Sequence, residues 1–86
     1  MFYNYVELND GTQIAYSNFL EDGTVQIGIE RSTEDGFDSA RCLLPAFSWS
    51  EVDGFSQDEV DKLQRFLRNN LPLIWRLAGE VSREYA

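Results

Sequence analysis

The 86-residue chain has no histidine, one cysteine, one methionine and two prolines, and only seven lysines and arginines against fifteen aspartates and glutamates. Each scarcity removes a class of function. Without histidine there is no imidazole to act as general base or as the commonest metal ligand. With Cys42 as the sole thiol, a zinc site of the usual nitrogen and sulfur type lacks ligands. Neither a Ser-His-Asp nor a Cys-His arrangement can be assembled. A lone cysteine also precludes an intramolecular disulfide and suits a reducing compartment. No apolar run approaches the ~20 residues that cross a bilayer. Met1 to Asp10 lacks the basic flank of a signal peptide and already alternates like a strand. The phosphate-cradling patterns GxxxxGK[ST] and GxGxxG are absent. The expectation is a cytoplasmic protein of a bacterium or its phage, with no metal, no cofactor and no membrane contact.

What is present is an ordinary globular composition, 43% apolar with 14% aromatic residues, which argues against disorder. A chain this short folds as one domain, residues 1–86, and buries roughly 60–65% of the surface its unfolded form exposes. That leaves little room for a deep cleft.

The first half reads as strands. Residues 2–8 alternate, with Phe2, Val6 and Leu8 on one face and Tyr3, Tyr5 and Glu7 on the other. Asp10-Gly11 and Asp22-Gly23 each stand between alternating segments, the pattern of a two-residue type I′ hairpin turn. Strands are therefore expected at about 2–8, 12–20, 24–31 and 38–44, with a polar loop at 32–37. Pro45 cannot donate to a ladder and should end the fourth strand. Phe47 and Trp49 alternate with serines, as in either a short further strand or a covering loop.

The second half reads as helix. Ser56-Gln57-Asp58-Glu59 has the form of a capping box, with Phe55 and Val60 placed for a hydrophobic staple. Advancing about 100° per residue from Val60 puts Leu63, Phe66, Leu67, Leu71, Leu73, Ile74, Leu77, Ala78, Val81 and Tyr85 on one half of the wheel, with Lys62, Arg65, Arg68, Arg76 and Arg83 opposite. That shared phase favours one helix over about 57–84, kinked or broken near Pro72, rather than two. The fold expected is α+β: an antiparallel meander of three to four strands packed against this amphipathic helix. Its core pairs Val25, Ile27 and Ile29 with Leu63, Leu67, Ile74 and Leu77.

Charge is unevenly spread. Residues 1–61 carry thirteen acids against Arg31 and Arg41, a balance of −11, whereas residues 62–86 carry a balance of +3. The acids gather in turns and around the helix start, where Asp and Glu also serve as turn and cap residues. They mark a candidate interaction surface of Glu21, Asp22, Glu34, Asp35, Asp38, Glu51, Asp53, Asp58 and Asp61. The basic helix face is expected to pair with the chain's own acids, as Asp58–Lys62 and Asp61–Arg65. Tyr3 and Tyr5 on an open sheet face, with Trp75 at the edge of the helix stripe, form a second candidate interface. No catalytic residue or metal ligand is assigned. The function expected is that of a small acidic, non-enzymatic interaction module with a basic protein partner. Such a module could be a phage or mobile-element inhibitor, or an antitoxin, that occupies a surface normally holding nucleic acid. Direct nucleic-acid binding is not expected, because such domains carry a basic balance. The alternatives are a homo-oligomeric structural or regulatory protein, homodimeric in the simplest case, and a carboxylate-dependent enzyme.

Overall fold

The computed structural model describes residues 1–84; of the expectations above, the placement of Tyr85 on the apolar stripe lies outside them. Five strands, β1 (Phe2–Glu7), β2 (Gln13–Ser17), β3 (Val25–Thr33), β4 (Gly36–Leu44) and β5 (Ser48–Asp53), precede one helix, α1 (Gln57–Glu84). The sheet order is β1-β2-β3-β4-β5, antiparallel throughout. The meander thus has one strand more than the sequence suggested. Residues 48–53 are the fifth, paired to β4 through Arg41↔Ser50, Cys42↔Trp49 and Leu43↔Ser48.

The Asp-Gly turns are tight, but they differ from the type I′ form. Leu8 and Leu20 each donate an amide hydrogen bond to the carbonyl of Thr12 and Thr24, and each accepts one from Gly11 and Gly23. Only the glycines have positive φ, +87° and +82°. These are three-residue loops, a type I turn followed by a left-handed glycine. The aspartate helps select this form, because its carboxylate accepts the amide of the threonine two residues on, Asp10 from Thr12 and Asp22 from Thr24. The loop expected at 32–37 is shorter than read: β3 and β4 pair as far as Thr33↔Gly36, leaving Glu34 and Asp35 as a two-residue tip.

The core lies between one sheet face and the helix. Val25, Ile27, Ile29, Leu63, Leu67 and Ile74 are buried as expected, with Ile14, Ala40, Cys42, Leu44 and Ala78 beside them. Leu77 is half-buried at the margin. Burial pushes the Cys42 thiol up to about 12, which suits a structural thiol and not a nucleophile. A sheet this small needs one apolar face covered, and α1 does so through Val60, Leu63, Leu67, Ile74 and Ala78. Polar bonds tie both edge strands to it. The Tyr5 hydroxyl donates to Asn70 Oδ1 at 2.7 Å, and Trp49 Nε1 donates to Gln64 Oε1 at 2.8 Å.

The helix starts as its sequence specifies. The Glu59 amide donates to Ser56 Oγ at 3.2 Å, and the Ser56 amide donates to Glu59 Oε1 at 3.0 Å. It then runs unbroken through Pro72. Proline withholds the hydrogen bond due to the carbonyl four residues back. That residue, Arg68, lies on the exposed side, where its carbonyl can be solvated. Leu73 departs from the expected stripe, being 48% exposed. It lies about 110° around the helix from the stripe's centre, too far to reach the sheet. No helix among the described residues is long and apolar enough to cross a membrane.

The largest correction concerns β1. Its register to β2 shifts between Asn4 and Val6, which pair with consecutive residues Ala15 and Ile14, so Tyr5 is the extra residue of a bulge. Strict alternation would put Phe2 inside with Val6, and the two tyrosines outside. The bulge resets the phase, placing Tyr3, Tyr5 and Val6 all against the core. Tyr5 and Tyr3 both pack on Tyr16, and Tyr5 also meets Phe66 edge-on. Phe2 lies instead under the Arg41 guanidinium, 4.7 Å from its ring centroid. Both cover Gly28, where an added Cβ would lie 2.7 Å from Arg41 Nη1.

Candidate functional site

In a meander successive turns alternate between the two ends of the sheet. The β1–β2 loop, the β3–β4 tip, the end of β5 and the start of α1 therefore share one end. The β2–β3 and β4–β5 loops share the other with the end of α1, where the Phe19 amide donates to Ser82 Oγ. The molecule measures 40 × 22 × 22 Å, so the two ends are well separated.

Arg31 organises the first end. It follows the buried run of β3 and pairs with Asp38 in register. Its Nε and Nη2 donate to Asp38 Oδ2 at 2.9 and 2.7 Å, and its Nη1 donates to Glu59. Asp10 Oδ2 lies 3.7 Å from Nη1. The guanidinium rests 4.5 Å above the Phe55 ring. One side chain thus joins the first hairpin, the third, and the first turn of the helix. The arginine beside Glu59, then the Ser56 amide, hold that carboxyl down to about 2 from its ordinary 4.5. Asp10 is also held below the usual range, first by Thr12 and to a lesser degree by Arg31.

Glu59 therefore contributes stability that is complete above about pH 4.5 and is lost as the pH falls through about 2. Arg31→Ala should cost about 2 kcal/mol near neutral pH, because it strands the mostly buried Asp38 carboxylate; the half-open Glu59 adds little. It should also flatten the acid limb. Urea midpoints measured across the acid range should fall less steeply for the variant than for the parent chain, and parallel limbs would refute the assignment.

The candidate acids divide accordingly. Glu34 and Asp35 are exposed at the β3–β4 tip, Asp53 is exposed at the end of β5, and Asp58 and Asp61 are exposed on the first turns of α1. Asp61 accepts a hydrogen bond from Gln57 Nε2. Asp38 belongs to the same end but is taken up by Arg31. Glu51 stands in a bulge of β5 with φ +52°, 3.8 Å from Arg41 Nε on the open sheet face. Glu21 and Asp22 fall at the opposite end and do not belong to the cluster. Asp10 and Glu59 do belong to it, although the sequence marked them only as turn and cap residues.

The second candidate interface is not formed. Tyr3 and Tyr5 face the helix, while Trp75 packs edge-on against Phe19, 5.0 Å between ring centroids, at the far end. The expected pairing of the basic helix face is also absent. Among the described residues neither Asp58–Lys62 nor Asp61–Arg65 is bridged, whereas Arg76 Nε lies 3.6 Å from Glu80. Arg68 lies over the Phe47 ring at 5.3 Å. Among the described residues, no group of three or more Cys, Asp and Glu could hold a metal ion.

Comparison with protein-family models, with curated proteins and with solved structures finds no match to this chain.

Proposed function

We propose that this protein is a non-enzymatic interaction module whose acidic end occupies a basic surface of a protein partner, a surface that itself holds nucleic acid. Phage- and mobile-element-borne inhibitors and antitoxins are the class this reading fits. The observation that carries it is the placement of Asp10, Glu34, Asp35, Asp38, Asp53, Asp58, Glu59 and Asp61 at one end of an elongated molecule, where Arg31 and Lys62 are the cations among them. Arg31 is already engaged there by Asp38 and Glu59. A one-sided field of this kind steers association with a cationic surface. Thr12, Thr24 and Arg31 hold the carboxyls of Asp10, Asp22 and Glu59, respectively, below the usual carboxylate range. A general acid working near neutral pH needs the reverse, which favours binding over catalysis.

The test compares two variants of equal charge. One carries Glu34→Gln, Asp35→Asn and Asp53→Asn; the other carries Glu21→Gln, Asp22→Asn and Glu80→Gln, all at the opposite end. Binding to an immobilised poly-arginine peptide at physiological salt should weaken about 10-fold for the first and under about 2-fold for the second. Equal losses would mean that net charge alone governs binding, and the reading would fail. A partner co-purified from the native host should in turn be displaced by the nucleic acid it binds.

A further inference from the structure

At the opposite end α1 leaves an open groove of about 1030 Å³. Its floor is apolar, built from Phe19, Leu71, Pro72 and Trp75, and Arg76 and Arg83 stand along it. Gly79 keeps the floor close, since a Cβ there would already touch Phe19 at 3.6 Å. A ligand suited to this groove is apolar, preferably aromatic, with acids on its flank.

The same chain displays such an element. Phe37 is 65% exposed, immediately after the Glu34-Asp35-Gly36 tip of the β3–β4 hairpin. Tip and groove lie at opposite ends of a 40 Å molecule, so one copy cannot join them. We propose that the groove receives the β3–β4 tip of a second copy. Phe37 rests on the apolar floor, and Glu34 and Asp35 meet Arg83 and Arg76, the latter exchanging its own Glu80 for them. In the proposed pair each copy gives its tip to the other's groove, so that the contact is made twice about a two-fold axis rather than extending into a filament. The inference does not depend on the reading of the acidic end as a partner site. It does imply that pairing and partner binding compete for Glu34 and Asp35.

The contact is small, so its dissociation constant should lie at about 0.1 mM. Two copies each of charge −8 also repel. At physiological salt that long-range term is screened beyond about 8 Å, while close arginine–carboxylate pairs persist. Sedimentation of the full chain there should show mass rising from 9.9 kDa towards twice that value with concentration. Phe37→Ser should weaken the pairing at least about 10-fold without changing the circular dichroism, because the ring is exposed. The charge-reversed chains Arg76→Glu/Arg83→Glu and Glu34→Arg/Asp35→Arg should each be monomeric alone and should pair when mixed. A monomer at all concentrations up to about 1 mM, pairing that survives either reversal, or a growing ladder of larger species would overturn the proposal.

Discussion

Gly54→Ala should destabilise this protein far more than Gly23→Ala, although both glycines have φ near +90°. At Gly23 an added methyl group meets nothing within 4 Å, so the cost is that of a left-handed alanine, about 1 kcal/mol. At Gly54 the same methyl would lie 2.0 Å from Asp38 Oδ1, 2.5 Å from its Cγ and 2.9 Å from its Cβ. A rotation of the carboxylate cannot relieve all three. The aspartate must leave Arg31, and the bridge goes with it. The expected loss is about 3 kcal/mol, read from urea unfolding. Because Arg31→Ala removes the same bridge, the double variant should lose less than the sum of the two single losses. Equal costs at the two glycines, or strict additivity, would show that Asp38 is not held as described.

The second large effect is in the core. Leu67 is 0% exposed on the helix face that meets the sheet, and Leu67→Ala should cost about 3 kcal/mol through lost burial and the cavity left behind. For a domain of this size that corresponds to a melting temperature lower by roughly 15 °C. Leu73→Ala, six residues on, should cost under about 0.5 kcal/mol because half of that side chain is already in water. Calorimetry on the pair checks the rotation of the helix directly. If Leu73 proves the costlier position, the helix faces the sheet by a different stripe.

Much of this architecture was legible because its signals are local. The capping box at Ser56 and Glu59 and the alternation Val25-Ile27-Ile29 are decided by neighbours a few residues apart, as is the termination of β4 before Pro45. The helix phase carried through Pro72 because apolar residues on both sides share one stripe, and tertiary packing then outweighs one missing hydrogen bond. The failures are where a non-local event resets a local pattern. One inserted residue at Tyr5 exchanges the faces of the residues before it while leaving Val6 inside, and nothing in Phe-Tyr-Asn-Tyr-Val announces it. The Asp-Gly pairs signalled hairpins correctly, but the loop length was settled by the carboxylate-to-threonine bond.

The acidic surface was legible as composition and only partly as geometry. Glu34, Asp35, Asp53, Asp58 and Asp61 come together because a meander returns every second turn to the same end. By the same rule Glu21 and Asp22 are sent away. Arg31 reads as one charge in a polar stretch. Its role depends on Asp10, Asp38 and Glu59, which are separated by up to 49 residues of chain and meet only when the helix docks.

The sheet order equals the chain order, and this bears on how the molecule is reached as well as on how it is held. Every strand pairs only with its predecessor, so each step closes a loop of a few residues at small entropic cost. Low contact order of this kind goes with fast folding. The helix is the exception: Tyr5 to Asn70 and Phe19 to Ser82 span more than sixty residues. During synthesis the strand pairings can therefore form only transiently while the apolar face stays bare. That face is covered only when the last third of the chain has left the ribosome.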